Sequence, residues 1–479
     1  MTMRAVKTRT HHNPCLTGCI LLSSILYSAP RRTTPSFNGI GMGFGRTECR
    51  SVPATDTTDG CPRPRTYATR TNGMDNRIKN GLQCLEDEFG KDRVVQAVQA
   101  VKRFEVEIPS WVFGKFGGGR FGGYLPPGCA RTIQEKLDDA AFVHKLTGAT
   151  RSVAMHMLWD FSSDGETGSP ETAEKVAFQC RDRNLSIGSV SPTYFLNGSH
   201  RGSLSATEQK TRMRFIEQAL IAGQIADQFG NGLLTLWLPD GSLYPGQAAL
   251  GRAFETSKKS LEEICSKLDR RITLLLEYKV FEPGTYSTVI PDWGTAYLLA
   301  KHLGENVGVL VDLGHHPHGT NIEQIVARLI REKMKCGFHF NARYAADDDH
   351  AVEPNPEMAR IFYELVTGRV ANNENPDKNW AYMIDQCSGR EDRIQAVLHS
   401  VDSLQLSLAK AILVDQEVLR RLQDADEIIL ANRCLNDALI LADVRPIVWL
   451  ARVERNLPPD PVAAYCESGY RVKIEAERV

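Results

Sequence analysis

The chain has 479 residues, of which 42% are hydrophobic and 24% are charged, and its formal net charge at pH 7 is −1. This composition is typical of a globular protein that buries a large core, in one domain with extensions or in two domains. The near-neutral charge argues against nucleic acid or a membrane surface as a partner. No run approaches the ~18 apolar residues of a membrane-spanning helix.

The twelve cysteines are scattered along the chain, without a CxxC pair or the regular spacing of a small disulfide-rich domain. In a chain of this length, such cysteines are typical of free thiols in a reducing compartment. The sequence therefore predicts a cytoplasmic protein.

Residues 1–73 differ in composition from the rest of the chain. They contain ten Lys and Arg but three Asp and Glu, and they show no sustained amphipathic period. A short apolar patch from Cys15 to Ala29 follows a basic stretch, as in a weak secretory signal, and Leu16-Thr17-Gly18-Cys19 is similar to a lipoprotein cleavage box. A leader for organelle import is a further alternative. We expect a disordered extension, or translated sequence upstream of a true start at Met74, because a helical pattern begins there.

The first predicted element is a helix from Met74 to about Phe104, where apolar residues recur at helical spacing. Eight short apolar runs follow, each with the length and the β-branched or aromatic content of a buried parallel strand. They span residues 106–113, 151–158, 185–190, 233–238, 272–278, 308–312, 336–341 and 380–385.

Amphipathic helical segments alternate with these runs. They are clearest at 131–146, 206–229, 254–269, 320–335 and 356–367. Eight strands that alternate with helices predict an α/β fold, a closed (β/α)8 TIM barrel. An open doubly wound sheet ordinarily has a Gly-rich turn leading into a helix after its first strand, and no helical pattern begins at Gly117-Gly118-Gly119.

The strand-like runs end near residue 390. Residues 391–456 have a helical pattern almost throughout, and 457–479 form a predicted tail that begins with prolines. We therefore expect three regions: a disordered or leader segment at 1–73, the catalytic barrel at 74–390 and a helical C-terminal extension at 391–479.

The ends of the predicted strands carry most of the chemically reactive residues. In a (β/α)8 barrel the carboxyl ends of the strands meet at one rim, where the active sites of this fold are built. Nearly every strand therefore delivers a reactive polar group or a large aromatic ring to one place. In strand order these residues are Trp111, His156 with Trp159, Ser191, Trp237, Glu277 with Lys279, Asp312 with His315, His339 with Asn341, and Asp385.

The stretch from Asp312 to His318 is typical of a metal site, because an apolar run ends at a carboxylate and an imidazole follows three positions later. A His-rich surface turn is the alternative. Asp347-Asp348-Asp349 adds carboxylates in the loop after His339, and a solvated acidic turn is the alternative there. Glu277 and Lys279 point to the same side of their strand, which suits either a site at the rim or a cross-strand salt bridge.

Five carboxylates and two imidazoles thus converge on one predicted rim. Burying so many like charges together requires a compensating cation. An oxygen-rich, sulfur-free set favours Mn²⁺, Mg²⁺ or Co²⁺, and one bridging carboxylate allows seven ligands to fill two adjacent sites. The candidate ligands are Glu277, Asp312, His315, His339, Asp347, Asp349 and Asp385.

Two roles are open for the aromatic residues near the strand ends. They can be ordinary core residues, or they can form apolar walls at the barrel mouth that stack on a sugar ring and exclude water. The second role is favoured for Trp237, because Asp240-Gly241-Ser242 follows it directly. The residues concerned are Trp111, Phe121, Trp159 and Trp237.

Several sequence blocks occur in a distinctive order. They are Glu277-Tyr278-Lys279, Tyr286-Ser287-Thr288-Val289, Asp292-Trp293-Gly294-Thr295, Val311-Asp312-Leu313-Gly314-His315-His316, Thr320-Asn321-Ile322-Glu323, Gly337-Phe338-His339-Phe340-Asn341, Asp347-Asp348-Asp349 and Met383-Ile384-Asp385-Gln386. In this order they resemble the L-rhamnose isomerase family, in particular its broad-specificity bacterial aldose–ketose isomerases, which are xylose isomerase-like barrels. The resemblance extends from about Ser110 to the C-terminus.

The resemblance implies two divalent ions, with Mn²⁺ the expected metal and Mg²⁺ or Co²⁺ as alternatives. It assigns a structural ion to Glu277, Asp312, His339 and Asp385. It assigns a catalytic ion to His315, Asp347 and Asp349, with Glu277 completing or neighbouring that site. It also implies a homotetramer.

The resemblance further implies an enzyme that interconverts L-rhamnose and L-rhamnulose, or other aldoses, by metal-assisted hydrogen transfer between C1 and C2. Lys279 would contact the sugar oxygens and stabilise charge on O1. His156 would lie by the ring oxygen or the mid-chain hydroxyls, and Asp349 and Asp385 are candidates for moving a proton between O2 and O1. A hydride shift and an enediol route both remain open. The pocket would be lined by Trp111, Trp237 and Phe121.

One position departs from the family pattern. After His339-Phe340-Asn341 the family has a small acidic and hydroxyl pair, whereas this chain has Ala342-Arg343. Arg343 either pairs with Asp347 or Asp348, or it changes the sugar preference. Two other functions remain as alternatives: a ketose 3-epimerase on the same barrel, which fits the surplus of ligands less well, and a sugar-binding barrel without activity.

Overall fold

The computed structural model describes residues 73–114, 125–162, 168–282, 286–343, 350–371, 380–387 and 391–478. All of them fall within one of two compact units of the chain, Thr57–Val479. The strands of this part of the chain are β1 (Ile108–Pro109), β2 (Ser152–His156), β3 (Ser186–Ser191), β4 (Leu233–Trp237), β5 (Gly241–Ser242), β6 (Thr273–Glu277), β7 (Phe281–Glu282), β8 (Tyr286–Thr288), β9 (Val307–Asp312), β10 (Cys336–Phe340) and β11 (Trp380–Ile384).

The main sheet has eight parallel strands in the order β1-β2-β3-β4-β6-β9-β10-β11. The backbone N–H of Glu107 donates to Tyr382 O, and that of Ile384 donates to Glu107 O, both at 2.9 Å. These two bonds join the first strand to the last, so the sheet closes into a barrel. The predicted (β/α)8 fold is confirmed.

The barrel strands are apolar on both faces, because helices cover the outside and side chains fill the inside. Every residue of β9 and β10 is buried. Leu275, Leu310 and Met383 form a cluster of their own, apart from the main core. Gly337 belongs to this layer, since a Cβ there would lie 2.7 Å from Leu275 Cδ1 and 2.8 Å from Leu310 Cδ1. This packed layer forms a floor beneath the residues at the strand ends.

Helices surround the barrel and make up most of both ends of the described chain. They are α1 (Met74–Phe89), α2 (Lys91–Arg103), α3 (Ile133–Thr147), α4 (Met157–Asp160), α5 (Pro170–Asp182), α6 (Gln209–Gln228), α7 (Leu250–Lys267), α8 (Trp293–Leu303), α9 (Ile322–Arg331), α10 (Pro356–Thr367), α11 (Arg393–Leu413), α12 (Gln416–Asp424), α13 (Ile428–Asn436), α14 (Arg445–Val453), α15 (Pro461–Ser468) and α16 (Tyr470–Glu477).

Two local expectations need correction. The single helix expected from Met74 is two helices, because Gly90 adopts a φ of 88° that favours glycine and ends α1. The first strand is shorter than expected, since a 3₁₀ turn at Ser110–Phe113 follows Pro109. The helical C-terminal region is confirmed, and α15 and α16 lie within its last part, 457–479. A small antiparallel sheet, β5-β8-β7, was not predicted at all.

The helices after residue 390 pack into the same core as the barrel. Residues from α11, α14 and α15 belong to the main hydrophobic cluster. Arg478 donates to both carboxylate oxygens of buried Asp139, at 2.7 and 2.9 Å, and so ties the end of the described chain to α3. No single helix within the described ranges is long and apolar enough to cross a membrane; α11 and α12 meet that criterion only as a pair bent by 61°.

Candidate metal centre and substrate pocket

Four neighbouring strands bring a group of acidic and imidazole side chains to one end of the barrel. Glu277 ends β6, Asp312 ends β9, His339 lies one residue from the end of β10, and Asp385 directly follows β11. The register pairs His339 with Asp312 across β10 and β9. Because these strands are parallel neighbours, their carboxyl ends place the four side chains together.

A single nitrogen of His339 faces three carboxylates. Its Nδ1 lies 3.3 Å from Glu277 Oε1, 3.4 Å from Asp385 Oδ2 and 3.5 Å from Asp312 Oδ2. All four side chains offer ligand atoms within 4.8 Å of one another. One imidazole N–H cannot donate to three acceptors at once, and Asp312 Oδ2 accepts no hydrogen bond from the described residues. Hydrogen bonds within the cluster therefore do not satisfy all of its carboxylate oxygens.

The charges of this cluster depend strongly on one another. Burial acts to lower the pKa of His339, but the carboxylates of Glu277 and Asp385 outweigh it and hold that pKa well above its usual value. Burial acts to raise the pKa of Asp312, but His315 and His339 reverse this and keep it below its ordinary range. Burial, assisted by Asp312 and Glu277, raises the pKa of Asp385 to about 6. The buried carboxylates therefore require positive charge among them.

A divalent cation satisfies both requirements. Two ligand atoms bonded to one ion at about 2.1 Å lie about 3 Å apart in octahedral coordination and about 3.4 Å apart in tetrahedral coordination. The contacts around His339 Nδ1 are close to these separations. Three carboxylates and one imidazole, without sulfur, are a donor set that suits Mn²⁺, Mg²⁺ or Co²⁺. The residues present thus fit a divalent metal centre.

His315 lies beside this cluster rather than within it. Its Nδ1 is 3.0 Å from the carbonyl oxygen of Tyr278, 3.3 Å from Glu277 Oε1 and 3.9 Å from Asp312 Oδ1. A carbonyl oxygen only accepts, so Nδ1 carries the proton and Nε2 carries the lone pair in the neutral ring. A metal-binding histidine commonly donates its other ring N–H in this way.

The other two predicted ligands of a second ion, Asp347 and Asp349, lie outside the described residues. The described residues that flank their segment are joined to each other, because Ala342 N–H donates to His350 O at 3.1 Å. Ala342 also follows Asn341, whose side-chain amide donates to Asp312 Oδ1 at 3.0 Å. Ala342 is thus bonded to His350 and follows the residue that binds the candidate ligand Asp312.

Arg343 binds away from the acidic cluster. Its Nη2 donates to Glu357 Oε1 on α10 at 2.5 Å, and its Nη1 donates to Pro317 O at 2.9 Å. The guanidinium therefore connects the turn after β9 to α10. The pairing with Asp347 or Asp348 that the sequence left open stays a prediction, because both residues lie outside the described ranges.

Aromatic rings form a continuous row along the opposite side of the rim. Ring centroids are 6.1 Å apart for Trp111 and Trp159, 4.1 Å for Trp159 and His156, 5.6 Å for His156 and Phe195, and 5.7 Å for Phe195 and Trp237. Trp111 connects this row to the acidic cluster, because its Nε1 donates to Asp385 Oδ1 at 2.9 Å. Phe195 is 42% exposed and was not predicted as a pocket residue.

His156 is held by buried polar contacts. Its Nδ1 is 2.5 Å from Thr193 Oγ1, and its backbone N–H donates to Asp160, which also accepts from Lys136. Burial lowers the pKa of His156 to about 3, so the ring is neutral at physiological pH. A neutral ring can both donate to and accept from sugar hydroxyls.

Lys279 lies between the aromatic row and the acidic cluster. Its Nζ is 5.0 Å from the centroid of the Trp237 ring and 3.3 Å from Glu282 Oε2. The carbonyl of Lys279 accepts from the Thr288 hydroxyl, so the small sheet β5-β8-β7 supports this residue. The indole Nε1 of Trp237 is buried and has no hydrogen-bond partner among the described residues. Phe121, the remaining predicted pocket residue, lies outside the described ranges.

Comparison with known proteins agrees with this geometry. The family model of the xylose isomerase-like TIM barrel matches residues 150–382. A probable sugar isomerase of Rhizobium meliloti is 38% identical over 410 residues, which cover 84% of this chain and 93% of the relative. The chain belongs to this xylose isomerase-like family.

Two further similarities extend the comparison. A probable sugar isomerase of Mesorhizobium japonicum is 37% identical over 388 residues, with 80% of this chain and 88% of the relative covered. A solved structure of L-ribulose 3-epimerase is 14% identical, with a TM-score of 0.44, and covers 64% of this chain and 95% of that chain.

Sequence reasoning missed the supports of the site, namely Thr193, Asp160, Phe195 and Glu282. Three of these lie a few residues beyond a strand end, at spacings that follow no motif. Thr193 follows Ser191 at the end of β3 by two residues. A search of the residues just after each strand end would have included it, but nothing in the sequence indicates its contact with His156.

The metal centre can be tested by titrating metal-stripped protein with Mn²⁺ in a calorimeter. Asp312→Asn removes a buried ligand charge, so we expect its Mn²⁺ affinity to fall by more than the ~10–100-fold typical of residues outside the ligand shell. Asp138→Asn, which changes an exposed aspartate paired with Arg183, serves as the control and should bind Mn²⁺ like the wild type. Unchanged affinity in Asp312→Asn would show that the cluster is not the binding site.

Proposed function

We propose that this protein is a divalent-metal-dependent aldose–ketose isomerase that interconverts L-rhamnose and L-rhamnulose. The observation that carries the proposal is the single nitrogen of His339 facing three carboxylates at the barrel rim, opposite an aromatic row. Such a site combines a hard cation with a surface that packs on a sugar. The names of the two curated relatives, both probable sugar isomerases, support the general activity.

Two ions are proposed for the site. The first is held by Glu277, Asp312, His339 and Asp385. The second is held by His315, Asp347 and Asp349, with Glu277 completing or neighbouring that site. Mn²⁺ is the proposed metal, with Mg²⁺ and Co²⁺ as alternatives. When bound, such ions polarise a carbonyl as Lewis acids.

The aromatic row and its polar groups would bind the open-chain sugar. Trp237 would contribute the face of its ring, because its indole Nε1 is buried in the described part of the structure. His156 would bind a mid-chain hydroxyl as a neutral ring, fixed by Thr193. Trp111 and Phe121 would complete the apolar wall. These rings exclude water from the reacting carbons.

Lys279 is the proposed electrophilic group. Its ammonium is held in place by Glu282 and by the Trp237 ring, two residues after the end of β6. We expect it to donate to O1 and to stabilise the negative charge that develops there. Asp385 and Asp349 are the proposed carriers of the proton exchanged between O2 and O1. The Trp111 N–H orients Asp385 by binding its Oδ1. Both a hydride shift and an enediol route are compatible with these roles.

The remaining expectations concern the environment of the protein. We propose a cytoplasmic homotetramer whose partner is a small sugar. Exposed apolar residues on α13 and just after it are consistent with subunit contacts, since Ile428, Ile429 and Leu441 are 60%, 70% and 73% exposed. Neither nucleic acid nor a membrane is proposed as a partner.

The activity can be tested by incubating the protein with L-rhamnose and Mn²⁺ and separating the sugars by chromatography. We expect L-rhamnulose to form, and we expect none with protein kept in a chelator. Formation of C3 epimers from ketoses, with no aldose–ketose conversion, would assign an epimerase. Tight binding of L-rhamnose without any product would assign a sugar-binding protein without activity.

Lys279→Met tests the proposed electrophile. Loss of the ammonium should lower kcat by roughly 10²–10³-fold, as expected for one donor that stabilises developing charge, while Mn²⁺ binding stays as in the wild type. Lys301→Met, on the exposed face of α8, is the control and should keep full activity. Wild-type kcat in Lys279→Met, or loss of its bound Mn²⁺, would contradict the assigned role.

A further inference from the structure

His316 has a defined place in the structure that the proposed reaction does not use. It is buried, and its Nε2 lies 2.8 Å from the hydroxyl of Tyr278. Its Nδ1 lies 3.2 Å from the carbonyl oxygen of Leu313, which can only accept, so this nitrogen donates. In the neutral ring Nε2 is then the acceptor, and the Tyr278 hydroxyl donates to it. His316 therefore joins Tyr278 to the turn that carries His315.

The backbone of this turn is fixed by other bonds. The N–H of His315 donates to Asp312 Oδ1 at 3.2 Å, and the N–H of Gly314 donates to Asn341 Oδ1 at 2.7 Å. Asn341 in turn donates to Asp312 Oδ1. These bonds hold the chain path, but none of them involves the imidazole ring of His315, so the ring orientation depends on different contacts.

Tyr278 contacts the turn at two points. Its carbonyl oxygen accepts from His315 Nδ1 at 3.0 Å, and its hydroxyl donates to His316. The same residue directly follows Glu277, whose Oε1 lies 3.3 Å from both His315 Nδ1 and His339 Nδ1. Tyr278 is 1% exposed, so the surrounding core fixes its position. Its position thus sets the position of the His315 ring relative to the acidic cluster.

We propose that Tyr278 and His316 are positioning residues, which hold His315 so that its Nε2 binds a divalent ion separate from the one at His339. This inference rests on the two-ion form of the proposed function. His315 Nδ1 is committed to the Tyr278 carbonyl, so Nε2 is the nitrogen with the lone pair. Loss of the contact between the Tyr278 hydroxyl and His316 should therefore weaken binding of the ion at His315 and leave binding of the ion at His339 unchanged.

The test is calorimetric titration of the metal-stripped, full-length protein with Mn²⁺ alone. We expect two ions in the wild type. In Tyr278→Phe, which keeps the ring in the core, we expect one ion to bind as before and the other to bind about 10–100-fold more weakly, as for residues that orient a metal ligand. Tyr382→Phe is the matched control, because it removes another buried hydroxyl, bonded to Val370 O, and should keep both affinities.

A double-mutant comparison separates positioning from general packing. If Tyr278 acts through His315, Tyr278→Phe should have no further effect on Mn²⁺ binding in a His315→Gln background. Equal weakening of both ions in Tyr278→Phe, wild-type affinities in that variant, or a single ion in the wild type would each overturn the proposal. The titration contains no sugar, so its result does not depend on the proposed activity. Failure to form L-rhamnulose in the separate sugar assay would contradict that activity and leave the metal-binding result unchanged.

Discussion

The structure of the rim depends on one electrostatic constraint, which is that two buried carboxylates and one half-buried carboxylate meet a single imidazole nitrogen. Glu277, Asp312 and Asp385 surround His339 Nδ1 at 3.3 to 3.5 Å. A buried like-charge cluster is costly, and one proton on one ring cannot satisfy it. The carboxylates raise the pKa of His339, and burial together with the neighbouring carboxylates raises the pKa of Asp385. Both shifts reflect the excess of negative charge in the cluster. A divalent cation resolves it, and the rest of the site is arranged around that position.

The barrel provides the conditions for this cluster. The parallel strands β6, β9, β10 and β11 each place one candidate ligand within one residue of their adjacent carboxyl ends. The layer of Leu275, Leu310 and Met383 beneath excludes water from below, and the aromatic row covers the opposite side. In such surroundings the charges interact more strongly than they would in water. A sugar bound as we propose would lie between the cation on one side and an apolar wall on the other.

Much of this arrangement could be predicted from the sequence. Buried strands are recognisable as short apolar runs, and in a barrel the last residue of each strand lies at one rim. The barrel and the convergence of Glu277, Asp312, His339 and Asp385 follow from that rule. The break at Gly90 was missed because apolar periodicity continues across it, and the small sheet was missed because its strands have two or three residues.

The supporting contacts could not be predicted for a different reason. Thr193 contacts His156 across 37 positions, and Arg343 binds Glu357 on a helix 14 residues away. Single polar residues of this kind have no periodic signal, and their partners are set only by the folded chain. His316 directly follows His315 in the sequence, yet only the structure shows that it joins the turn to Tyr278.

The most direct measurement of the central claim is an anomalous difference map, recorded at the manganese absorption edge from crystals grown with MnCl₂. We predict a manganese peak within coordination distance of Glu277, Asp312, His339 Nδ1 and Asp385. A map without a peak among these four side chains, with manganese bound only elsewhere on the protein, would contradict the account.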